Sequence, residues 1–113
     1  MPKDIKTASE LGISLREARD IPEVIGAMYG ANGLILTESD LAPEFLNLKT
    51  GLLGELFQKL VTYRIPTAVI IPDSDAHGAR FSELAREHVK HPQIRFFNSE
   101  KEGREWLEKT AAS

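Results

Sequence analysis

Three short apolar runs, GLILT (33–37), TAVII (67–71) and QIRFF (93–97), constrain this chain most. Each is bounded by Gly, Pro, Asn, Ser or Asp, and each is too brief for a helix of ordinary length. Their continuous rather than alternating apolar character is that of strands buried on both faces. Helical patterns fill the gaps. Asp20 is placed to cap a helix over 21–29 that ends at Gly30. A second helix runs from Gly51 to about Arg64, where Pro66 prevents Ile65 from continuing it. A third covers 79–90 with Phe81, Leu84, Ala85, His88 and Val89 on one stripe. A fourth follows Ser99, with Glu102 three residues on as a capping box and Trp106 and Leu107 on its buried side. Helices alternating with strands predict an α/β domain: right-handed crossovers and a small, mostly parallel sheet with helices packed on it.

The 113 residues suit one domain (1–113), with residues 1–12 read as an arm-like N-terminal segment. Before the first helix the chain supplies at most one short strand, around Ile13–Leu15. The resulting sheet has three or four strands and an open edge. We expect that edge to be covered by the N-terminal arm or by a second copy, as a homodimer.

Composition removes several functions. A formal net charge of −3 gives no clustered basic face for nucleic acid. The absence of cysteine removes disulfides, thiolate metal sites and a cysteine nucleophile. No apolar run approaches the ~20 residues of a membrane span, and the first twelve residues carry no apolar signal-peptide core. The expectation is a cytoplasmic protein that binds neither membrane nor nucleic acid and calls for no cofactor or metal.

The most informative stretch is NLKTGLLGELFQKLVTYRIP (47–66). Leu53, Leu56, Phe57 and Leu60 form an i, i+3, i+4, i+7 stripe, widened by Leu52 and Val61. Glu55 and Lys59 are an i, i+4 pair on the other side. Thr50 stands where an N-cap belongs, its hydroxyl accepting from first-turn amides. Gly51 and Gly54 leave one side of that turn as bare backbone, at a helical cost of about 1 kcal/mol for Gly54. Such a cost makes sense where the sheet or a ligand approaches closely. A Walker loop is excluded, because Lys49 and Thr50 precede the glycine rather than follow it. An anion or a protein partner at outward-facing amides beside the Lys49 ammonium remains a sound expectation.

The block LAPEFLNLKTGLLGELFQKLVTYRIPTAVIIPD (41–73) resembles the signature of the bacterial family of domains of unknown function 4180, with its PEF…LKTG…GE…QK…Y frame. The resemblance extends more loosely from Ser14 to Leu107. That family carries no established activity. Its layout is similar to the STAS fold of anti-sigma-factor antagonists, whose D-S-[ST]-G-L-G loop is phosphorylated on the residue before the glycine. On that frame Thr50-Gly51-Leu52 matches, and Thr50 takes the phosphorylatable place. Lys49 replaces the usual Ser, Leu48 replaces the Asp, and the N-terminal strands look shortened. The resemblance implies a regulatory, protein-binding module acting through Lys49, Thr50, Gly51 and Gly54.

Two other readings stay open: a small enzyme or anion-binding protein with a pocket near Lys49, Thr50, Asp73 and Glu44, and a purely structural assembly subunit. The loop PDSDAHG (72–78) offers Asp73, Asp75 and His77 as metal ligands, but the same residues make turns and caps. Glu38, Asp40 and Glu44 in TESDLAPEF (37–45) are acid/base candidates or solvated turn formers. His88 fits helix packing, and His91 fits a helix C-terminus. No serine sits in a G-x-S-x-G elbow.

Overall fold

A computed structural model describes residues 4–88 and 90–112. The three apolar runs form β2 (Gly33–Thr37), β3 (Thr67–Ile70) and β4 (Ile94–Phe97), and β1 (Ile5–Thr7) precedes them. The sheet order is β1-β2-β3-β4 and every neighbouring pair is parallel. The α/β class and helix-covered sheet are as expected, and the sheet is wholly parallel.

The edge strand lies earlier than expected. Ile5 and Thr7 are buried with Lys6 between them, a three-residue alternation too short to stand out in the sequence. The segment expected to be a strand makes one parallel bridge, Leu15 to Leu41, with Leu15 N–H donating to Asp40 O (2.9 Å) and Ala42 N–H to Leu15 O (2.9 Å). Residues 4–12, expected to be an arm, hold β1 and a one-turn helix, α1 (Ala8–Leu11). Thr7 and Glu10 form a capping box there, and Gly12 ends the turn at φ 71°. Residues 1–3 of the expected arm lie outside the described residues.

Strands laid down in chain order, with right-handed crossovers, place all connecting helices on one face of the sheet. That face is the larger core. Ile21 and Val24 of α2 (Asp20–Ala27), Leu53, Leu56, Phe57 and Leu60 of α4 (Leu52–Thr62), and Phe81 of α5 (Ala79–Glu87) pack with Leu34, Leu36, Val69, Ile71 and Ile94. Between β2 and α4 lies a further one-turn helix, α3 (Pro43–Leu46), whose Phe45 is buried in the same core. The opposite face, Ile5, Ile35, Ala68 and Ile70, closes under α6 (Glu100–Ala112) through Leu107, with Phe97 and Trp106 at the margin. Contact there is close. A Cβ on Gly103 would meet Ala68 Cβ at 2.9 Å and Ile70 Cδ1 at 2.8 Å.

Helix ends differ in detail from the sequence reading. Asp20 does not cap α2 but reaches back, accepting from Arg16 N–H (2.9 Å) and Glu17 N–H (3.0 Å). Arg64 takes φ 55° and turns the chain out of α4, so that Ile65 N–H donates to Leu60 O (2.9 Å). Val61, expected to widen the buried stripe, is exposed. Glu55 and Lys59 form no ion pair among the described residues. In α5, Leu84, Ala85 and His88 are half-buried, and Val89 lies outside the described residues. At the start of α6 Ser99 Oγ accepts from Glu102 N–H (3.3 Å), one half of the expected capping box, while Glu102 Oε1 accepts from the Ser99 hydroxyl (3.2 Å).

Candidate functional site

The carboxyl ends of β2 and β3 lie side by side, since Thr37 pairs with Ile70 in register. Open α/β sheets place ligands at such ends. The chain leaving β2 forms a 3₁₀ turn, Glu38–Asp40, in which Asp40 is fully engaged. Its carboxylate accepts from Thr37 N–H (2.8 Å), Thr37 Oγ1 (2.9 Å) and Ser9 Oγ (3.1 Å). Asp40 is therefore a buried tether that joins α1 to β2, not a free acid or base.

Glu38 and His77, read in the sequence as members of separate loops, meet through Oε1 and Nε2. His77 belongs to the 3₁₀ turn Ser74–His77 that follows β3, and its ring also contacts Phe81. Asp75 goes elsewhere: it accepts from Ser82 Oγ and lines a depression of about 470 Å³ with Ser82, Arg86 and Asn98. Asp73 is exposed. Among the described residues no three carboxylate or imidazole groups gather as a metal would require.

The Leu48–Thr50 segment is a 3₁₀ turn, and Gly51, at φ 77°, is the N-cap of α4. Thr50 stands one residue before the cap position expected of it. Its hydroxyl lies 2.7 Å from Glu44 O and 2.9 Å from Asn47 O, to which it donates, and accepts from Leu52 N–H at 3.2 Å. The neighbouring amides are likewise occupied: Lys49 N–H by Asn47 Oδ1, Thr50 N–H by Asn47 O and Gly51 N–H by Leu48 O. The expectation of outward-facing amides over 49–52 is thus corrected. Asn47, Leu48 O and the Thr50 hydroxyl supply the partners from within three residues, too locally for helix periodicity to reveal them.

What the corner does present is side chain and bare turn. Lys49, Thr50 and Gly51 are exposed, and a Cβ on Gly54 would have nothing within 4 Å. Lys49 borders an open groove of about 270 Å³ whose other wall is His77, Gly78 and Arg80, with Leu46, Leu48 and Phe81 between. Neither Lys49 nor Arg80 forms an ion pair among the described residues. Of the residues proposed to share a pocket, Lys49 lines this groove; Thr50, Asp73 and Glu44 do not, and Glu44 contributes its carbonyl to the corner instead. Arg80 had no signal in the sequence. An exposed arginine in a first helical turn is ordinary, and only the fold brings it opposite Lys49.

A family model for a domain of unknown function, DUF4180, matches residues 2–107. The chain belongs to the DUF4180 family. The matched region holds all four strands and most of α6, so the family frame is the whole sheet rather than the LKTG corner alone. No curated protein and no solved structure matches the chain. Neither comparison supports the STAS-like layout expected from residues 48–52.

Proposed function

We propose that this domain is a protein-recognition module that receives an acidic segment with an apolar anchor across the Lys49–Arg80 groove. The carrying observation is that two cations forming no ion pair among the described residues flank an open groove with leucine and phenylalanine in its lining, on a chain whose net charge is negative. A carboxylate arriving there gains charge-assisted hydrogen bonds, while an apolar side chain covers Leu46 and Leu48. The uncovered first turn of α4 extends this surface, and Gly54 keeps it flat. Phosphorylation at Thr50 would act as a switch on the same surface. It would remove the hydroxyl's donor to Glu44 O and Asn47 O and so open the corner.

A small-molecule or catalytic reading is favoured by one observation, the His77–Glu38 pair at the groove wall. The purely structural reading needs none of these cations. Cross-linked pull-down from native extract tests the proposal, using wild type, Lys49→Glu, Arg80→Glu and Gly54→Ala. The charge reversals should remove specific partners. The Gly54 variant should weaken capture while making the domain more stable. Partner lists that all four proteins share would overturn the recognition reading.

A further inference from the structure

Of the three large hydrophobic side chains left exposed among the described residues, the two tyrosines line one depression. Tyr29 follows α2, and Val61 and Tyr63 stand at the end of α4; they are 96%, 40% and 60% exposed. These positions lie at the opposite end of α4 from the Lys49 corner. Two contiguous depressions, of about 420 and 370 Å³, run along the α2–α4 face and share Ile25, Gly26 and Tyr63. A monomeric soluble domain seldom leaves clustered tyrosine and aliphatic surface uncovered, and tyrosine is enriched where proteins meet.

We infer that the α2–α4 face is a self-association surface whose occupant is a second copy of this chain, arranged about a two-fold axis. Two features favour a copy over an unrelated partner. An isologous interface needs both halves of the fit on one patch. Here the tyrosine knobs adjoin a groove walled by Ile21, Pro22 and Ile25, with Gly26 adding no side chain: a Cβ there would have nothing within 4 Å. The second feature is charge. Glu55 and Lys59 both line this groove, one turn apart on α4, and pair with nothing else among the described residues. Packing α4 antiparallel to its copy sets Glu55 of one chain opposite Lys59 of the other, twice across the axis. The sheet edge then has no part in the dimer.

Sedimentation equilibrium of the full chain over graded concentrations tests this directly. Wild type should dimerise. Tyr29→Ser with Tyr63→Ser should weaken the dimer by about tenfold or more, as loss of aromatic anchors does. Glu55→Lys and Lys59→Glu should each weaken it by setting like charges opposite one another, and the combined reversal should restore it. All four positions are exposed, so circular dichroism should show the native fold throughout. Should the tyrosine variant misfold, the charge series alone decides. A wild type that stays monomeric at every concentration overturns the inference. So does a dimer indifferent to the tyrosines, or a combined reversal no better than either single one.

Discussion

Two residues at opposite ends of the sheet show how one side chain can be committed to the backbone. The Thr50 hydroxyl ties α3 to the start of α4 through Glu44 O, Asn47 O and Leu52 N–H. Thr50→Val, which keeps the shape and removes the hydroxyl, should cost about 1 kcal/mol in chemical denaturation. A change near zero would mean that water replaces the hydroxyl fully. His91 plays the corresponding part before β4. Its Nδ1 accepts from Gln93 N–H (3.1 Å) and Ile94 N–H (3.0 Å), so its proton is on Nε2, and the ring stacks on His88. Burial, then the nearby His88 and Arg95, holds its pKa below 6.5. The unfolded chain therefore takes up the proton first. Stability from this cap is complete above pH 6.5 and declines as pH falls from there through the lowered folded value. The denaturation midpoint of wild type should drop as pH falls below 6.5, and His91→Leu should flatten that drop. Asp20, lowered chiefly by the Arg16 amide, acts in a separate window below 3.8 and does not confuse the measurement.

Among the elements, two helical glycines make opposite predictions. Gly54 in α4 has nothing within 4 Å of an added Cβ, so Gly54→Ala should stabilise the domain by up to about 1 kcal/mol through helix propensity. Gly103 in α6 lies against Ala68 and Ile70. Propensity would again favour alanine by ~1 kcal/mol, but overpacking costs ~1–3 kcal/mol. Ala68 Cβ is fixed to the strand backbone and cannot swing aside, so overpacking wins. Gly103→Ala should lower the melting temperature and Gly54→Ala should raise it. The same shift in both would show that α6 slides freely on the sheet. Glycine spacing in the sequence exposed the cost at Gly54, yet it carried no sign of which glycine faced a neighbour. That depends on which side of its helix the sheet lies.

For the molecule as a whole, strand order governs stability. Because the strands follow one another in chain order, every crossover helix covers one face and only α6 remains for the other. A chain ending at Ser99 should uncover Ile35, Ala68 and Ile70 and lose cooperative unfolding, with dye binding to the exposed face. Retained cooperativity would show that the helix is dispensable. The central β2 and β3 should be the slowest to exchange amide hydrogen, and the three-residue edge β1 faster. The sequence alone determined β2 to β4, the helices α2, α4, α5 and α6, the mostly parallel α/β class and the core of the α4 stripe, because apolar periodicity and turn chemistry act over a few residues. Tertiary structure decided that residues 5–7 form the edge strand, that Glu38 meets His77, and that Lys49 and Arg80 line one groove. It also left Val61 and Tyr63 outside the core. Those outcomes depend on which strand ends and helix faces come together across the sheet, and contacts between distant segments leave no periodic trace in the chain.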